Sequence, residues 1–119
     1  MQQRSVGSTG LRVSRLGLGT MTWGRDTDEH EARDQLVAFV EAGGTLVASA
    51  AAYAEGRSEQ LLGSLLGDVV HRDELVIATK AAISARDGRT QVNASRGSLL
   101  STLDASLRRL GVDHVDLWQ

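Results

Sequence analysis

Apolar residues recur along this chain in two alternating rhythms. Leu16-Gly-Leu-Gly-Thr20, Thr45-Leu-Val-Ala48, Leu75-Val-Ile-Ala-Thr79 and His114-Val-Asp-Leu-Trp118 are short apolar runs that read as strands. Between them the apolar positions fall at helical spacing. Ala32, Leu36, Phe39 and Val40 mark a helix over about residues 29–42, opened by a capping box of Asp28 and Glu31 and stopped by Gly43-Gly44. Leu61, Leu62, Leu65 and Leu66 share one face of a second helix opening at Ser58. Leu99, Leu103, Leu107 and Leu110 mark a third, which follows Ser95 and ends at Gly111. Strands joined by helices describe successive βαβ units, so the core strands must run parallel with right-handed crossovers.

Two short strands around a glycine turn, Arg4-Ser-Val-Gly7 and Leu11-Arg-Val-Ser-Arg15, precede this alternation as a hairpin. The chain is therefore expected to be one unit over residues 1–119, with a hairpin over 1–15 and β/α units over 16–119.

Composition narrows the chemistry. The 119 residues include 13 basic and 15 acidic side chains and no cysteine. That balance gives no electrostatic footprint for nucleic acid or an anionic membrane surface. Without cysteine there is no disulfide, thiolate nucleophile or cysteine-bound zinc, and a cytoplasmic location is the expectation. No run approaches the roughly 20 apolar residues of a bilayer span. His30, His71 and His114 lie far apart, so no metal site is expected. The glycines of Gly17-Leu-Gly-Thr-Met-Thr-Trp-Gly24 have the wrong spacing for a dinucleotide fingerprint and read as a tight turn.

In parallel α/β architectures ligands sit at the carboxyl ends of strands. Three segments of this chain occupy such places: Gly19-Thr-Met-Thr-Trp-Gly24, Ala48-Ser-Ala-Ala-Ala-Tyr53, and Lys80 directly after the third core strand. A tyrosine and a lysine on adjacent strand ends can meet, and an ammonium group favours the phenolate form of its neighbour. Such a phenol can give a proton to a carbonyl oxygen that receives a hydride. Trp23 suits either the lining of a substrate pocket or a cover over the end of the sheet, and Arg108-Arg109 suit the carboxyl end of a helix dipole.

Gly43-Gly-Thr-Leu-Val, Tyr53-Ala-Glu-Gly-Arg-Ser-Glu59, Leu75-Val-Ile-Ala-Thr-Lys80 and Ser106-Leu-Arg-Arg-Leu-Gly-Val-Asp-His-Val-Asp-Leu-Trp-Gln119, in this order, resemble the amino-terminal part of an aldo/keto reductase. The resemblance implies an α/β fold, the amino-terminal half of a (β/α)8 TIM barrel preceded by a β-hairpin. It also implies an NADPH-dependent oxidoreductase that reduces aldehydes or ketones. By the same resemblance Tyr53 is the proton donor, Lys80 the lysine beside it, and Gly19, Thr20 and Met21 line the nicotinamide; Trp23 is the candidate for substrate contact.

Two departures shape further expectations. The family has an aspartate at the end of the second strand where this chain has Ala48-Ser49-Ala50, which leaves Lys80 without a carboxylate partner. Ala54 follows the tyrosine where the family has glycine, straining a turn if that position needs a positive φ. A complete barrel takes about 250 residues. A four-stranded piece would expose its edges, so self-association as a homo-oligomer is a further expectation. The alternative to a reductase is a catalytically inactive half-barrel acting as an association or scaffold module.

Overall fold

The computed structural model describes residues 1–119, with the side chain of Arg86 outside the description. The amino-terminal hairpin pairs β1 (Gln3–Ser5) with β2 (Arg12–Ser14), antiparallel. Four core strands follow, β3 (Gly17–Gly19), β4 (Leu46–Ala48), β5 (Val76–Thr79) and, at the end of the chain, Leu117–Trp118, adjacent in that order and parallel throughout. The helices between them are α1 (Glu29–Glu41), α2 (Arg57–Leu65) and α3 (Arg96–Leu110). The alternation of strand and helix expected from the apolar pattern is present, with each core strand one to three residues shorter than its apolar run.

Local chemistry explains most of the boundaries. α1 starts at the expected capping box: Asp28 Oδ1 accepts the Glu31 amide at 2.9 Å, and Glu31 Oε2 accepts the Asp28 amide at 3.3 Å. α3 starts at Ser95, whose hydroxyl accepts the Ser98 amide, and stops at Gly111 in the left-handed region. α2 departs from expectation. Its cap is Gly56, at φ 91°, and Ser58 lies inside the helix with its hydroxyl turned into the core.

The stretch around Gly88 is not a plain loop. It forms a second hairpin, β6 (Ile83–Arg86) with β7 (Arg89–Val92), turned by Asp87 and Gly88 at φ 52° and 71°. Two positive φ values in a two-residue turn match the twist of the strands they connect. The last core strand, Leu117–Trp118, is β8.

Register places Leu18, Val47 and Ile77 side by side, and this row joins Leu36, Leu62 and Leu110 in the core beneath the helices. Leu36, Leu62 and Ile77 are fully buried, each contributing about 1.5–3 kcal/mol of hydrophobic stabilisation. The opposite face carries Gly17, Gly19, Leu46, Ala48, Val76 and Ala78. α2 and α3 approach closely because a Cβ at Gly63 would lie 2.7 Å from the Arg109 and Leu110 carbonyl oxygens. At the amino-terminal end of the sheet, the Ser14 hydroxyl accepts the Thr45 and Leu46 amides at 2.9 and 3.1 Å, anchoring the β1–β2 hairpin.

Candidate active site

The carboxyl ends of β4 and β5 bring Tyr53 and Lys80 together. The chain leaves β4 through Ser49, whose amide donates to the Ala78 carbonyl at 2.8 Å, and crosses the end of β5, where the Ala51 amide donates to the Lys80 carbonyl at 3.2 Å. It then turns at Tyr53–Gly56 into α2. Lys80 Nζ donates to the Ser49 carbonyl at 2.9 Å and to the Tyr53 hydroxyl at 3.4 Å, and it lies 5.2 Å from the centre of the tyrosine ring. Both side chains are half-buried, which keeps one side of the pair within reach of a small molecule.

Where Lys80 lacks a carboxylate, a backbone carbonyl takes its ammonium instead. Ala48, opposite Gly19 and Ala78 in register, offers only a methyl group. Glu55, the nearest acidic residue in sequence to Tyr53, is exposed and is not a partner of the ammonium. Ala54 and Glu55 take φ values of 49° and 56° and Gly56 one of 91°, so three successive left-handed residues follow the tyrosine. The strain expected at Ala54 is present, and it extends to Glu55.

The positions after β3 separate. A side chain at Gly19 would meet nothing within 4 Å, and Met21 is 56% exposed, so both border open space at the end of the sheet. Thr20 is fully buried, with its hydroxyl 2.7 Å from that of Ser58, and its side chain offers no surface to a ligand. Trp23 is also fully buried, its indole N–H donating to Gln35 Oε1 at 2.8 Å. The ring therefore lies in the core, and its surface is not open to a ligand in this structure.

Behind the pair, Ser58, Glu59 and Arg109 make contacts that the sequence did not announce. Ser58 donates to the Thr20 carbonyl at 2.7 Å, fastening α2 to the end of β3. Glu59 is fully buried; its Oε1 accepts the Thr79 hydroxyl at 2.5 Å and its Oε2 accepts Arg109 Nε at 2.7 Å. Arg109 therefore pairs with a specific carboxylate beyond its expected role at a helix end. The burial alone was legible, since positions 58, 59, 62 and 65 fall on one helical face and the leucines at 62 and 65 announce it.

A separate cavity of about 390 Å³ lies between the β6–β7 hairpin, α3 and the segment Ala51–Glu55; neither Tyr53 nor Lys80 lines it. Among the described residues no cluster of three or more His, Cys, Asp or Glu could hold a metal, and no helix is long and apolar enough to cross a membrane.

The family model described as Aldo/keto reductase family matches residues 15–119. Aldo-keto reductase YhdN of Bacillus subtilis (strain 168) is 34% identical over 124 residues, covering 100% of this chain and 37% of that protein. Among solved structures, PA4992 from Pseudomonas aeruginosa superposes with a TM-score of 0.89 at 36% identity, covering 98% of this chain and 45% of the other. The holo form of aldo-keto reductase AKR11C1 from Bacillus halodurans gives 0.88 at 34% identity, covering 100% and 39%. The chain thus spans less than half the length of the relatives it matches, and its β/α units correspond to part of their barrels.

Proposed function

The chain belongs to the aldo/keto reductase family, and from that premise we propose that it carries the proton-donating half of an NADPH-dependent reductase of small aldehydes and ketones. The observation that carries the reading is the 3.4 Å approach of Lys80 Nζ to the Tyr53 hydroxyl at the ends of two adjacent parallel strands. NADPH, when bound, supplies the hydride. Tyr53 holds the proton at its phenolic oxygen and passes it to the substrate's carbonyl oxygen. Lys80, itself held by the Ser49 carbonyl, favours the phenolate left behind. Gly19 leaves room for the nicotinamide beside the strand ends, and Met21 borders it. The lack of cysteine fits a reducing compartment, and we assign the protein to the cytoplasm.

The test uses a complete barrel in which this chain supplies the amino-terminal part and the Bacillus subtilis relative the remainder, assayed by NADPH oxidation with a generic aldehyde. Tyr53→Phe is expected to lower the rate by about 100-fold or more; an unchanged rate removes the phenol from the reaction. Ala48→Asp places a carboxylate beside the ammonium and is expected to raise the rate. Equal rates with and without it mean that the Ser49 carbonyl already meets the lysine's need. Failure of every version to oxidise NADPH, with the barrel folded, favours the inactive module that Ala48 suggests.

A further inference from the structure

Tyr53 and Lys80 stand on different elements, and their contact is long for a hydrogen bond, so something must fix the separation. The turn Tyr53–Gly56 does not fix itself. Its three left-handed residues, two of them not glycine, persist only where the surroundings over-determine them. We propose that Glu59, Thr79 and Arg109 form a latch that sets the Tyr53–Lys80 distance, which makes all three positioning residues for the phenol. The inference rests on the reading of Tyr53 as proton donor and Lys80 as its activator.

The connectivity supports it. Tyr53 begins the turn that runs without interruption into α2, and Glu59 sits in the first turn of that helix. Thr79 is the last residue of β5 and is bonded directly to Lys80. The hydrogen bond of 2.5 Å from the Thr79 hydroxyl to Glu59 Oε1 therefore ties the residue before the lysine to the helix that follows the tyrosine's turn. Arg109 closes the circuit from the other side. Its Nε donates to Glu59 Oε2 at 2.7 Å, and its Nη2 lies 2.7 Å from the same oxygen and 3.3 Å from the Ser106 hydroxyl. Its aliphatic stem meanwhile lies so near Gly56 that a Cβ there would be 2.7 Å from Arg109 Cδ. One arginine thus presses on the end of the tyrosine's turn and holds the carboxylate that holds the lysine's strand.

Burial makes this arrangement specific. An ionised carboxylate removed from water is penalised unless it is paired on both oxygens, and an apolar residue at position 59 would continue the face of Leu62 and Leu65 at less cost. What the charged version adds is direction. Its two oxygens accept from fixed donors on two other elements, so α2 cannot slide along β5 without breaking a charge-assisted bond.

The chain contains one tyrosine, so its near-ultraviolet phenolate absorbance reports Tyr53 alone. The measurement is made on the full chain at one fixed alkaline pH, with retention of fold checked by far-ultraviolet dichroism. Lys80→Met tests the reading beneath the proposal and is expected to lower the phenolate signal by about threefold or more. Thr79→Val keeps the side-chain shape and removes the hydroxyl; it is expected to lower the signal by about threefold, whereas Thr79→Ser keeps the wild-type value. If the valine variant does not fold, Thr79→Ala is read in its place. A wild-type signal from the valine or alanine variant, with a lowered one from Lys80→Met, overturns the latch and leaves the pair intact. A fall in Thr79→Ser as deep as in Thr79→Ala also overturns it, because packing and not the hydroxyl would then matter. No fall in Lys80→Met overturns the reading of the pair and the latch with it.

Discussion

The two ends of the parallel sheet are finished in different ways. At the amino-terminal end, Arg72 meets a carboxylate: its Nη2 donates to Asp116 Oδ2 at 2.8 Å, and the same oxygen accepts the Ile77 amide at 2.8 Å. The guanidinium also serves the Leu75 and His114 carbonyls at 2.9 and 3.1 Å, so one side chain joins β5 to the approach of β8. At the carboxyl-terminal end Lys80 meets a carbonyl and a phenol, the turn beside it is strained, and the carboxylate nearby, Glu59, is engaged elsewhere. One end satisfies its charges in place. The other leaves an ammonium beside a phenol and binds its carboxylate to Thr79 and Arg109. The amino-terminal end is thus closed by a charge pair, whereas at the other end an ammonium held by a carbonyl faces a phenol hydroxyl.

The sharpest way to break this contrast is at the Glu59–Arg109 ion pair behind the carboxyl-terminal end. Arg109→Ala leaves the fully buried Glu59 carboxylate with the Thr79 hydroxyl alone. Breaking a buried pair from one side costs about 3–5 kcal/mol, and urea unfolding should show a loss of that size. A loss below about 1 kcal/mol would mean that water reaches Glu59 and that the pair resembles a surface bridge.

Arg72→Ala attacks the opposite end. Asp116 keeps the Ile77 amide and its side chain is 21% exposed, so solvent compensates part of the loss, and the expected cost is about 1–3 kcal/mol by the same measurement. The guanidinium's buried Nε has no partner among the described residues, which reduces what its removal costs. If Arg72→Ala proves more damaging than Arg109→Ala, burial is not what ranks the two pairs.

Ala54→Gly sharpens the comparison from the side of strain. At φ 49° the alanine Cβ crowds its own backbone, and glycine relieves this while adding freedom to the unfolded chain. The net gain should be about 0.5–1 kcal/mol in urea unfolding. A loss would show that the methyl group of Ala54 packs usefully enough to outweigh its backbone.

The sequence disclosed the frame more readily than its fastenings. The capping box at Asp28 and Glu31 and the left-handed stop at Gly111 are local devices, so the boundaries of α1 and α3 were legible. The β6–β7 hairpin was not, because Ser84, Arg89, Thr90 and Gln91 lack an apolar alternation, even though Asp87-Gly88 is itself a turn signal. Tyr53 and Lys80 could be matched because both follow strands that must be neighbours in a parallel sheet. The partner of Lys80 could not, since a carbonyl's direction at a strand end depends on how the chain leaves the sheet. The burial of Glu59 was legible from the leucines on its helical face, but its partner was not, because Arg109 lies 50 positions away.

The smallest effect expected lies at the amino-terminal end, where the exposed Asp113 meets His114. His114 Nδ1 is 2.6 Å from Asp113 Oδ1, and the hydrogen bond from this imidazole, followed by its charge, holds the Asp113 carboxyl below its ordinary range. A carboxyl lowered in the folded state contributes stability above its unfolded value, and that contribution disappears as the pH falls through the lower, folded one. The window is therefore acidic, and the sign is destabilisation on acidification. Asp113 is fully exposed, so solvent and salt screen the pair and the unfolding midpoint should respond far less than it does to loss of Arg72. Carboxyl-detected NMR titration of Asp113 should show an upward move in His114→Gln. An unmoved titration would dissolve the pair, and a large change in acid stability would show that Asp113 takes part in the Arg72–Asp116 fastening beside it.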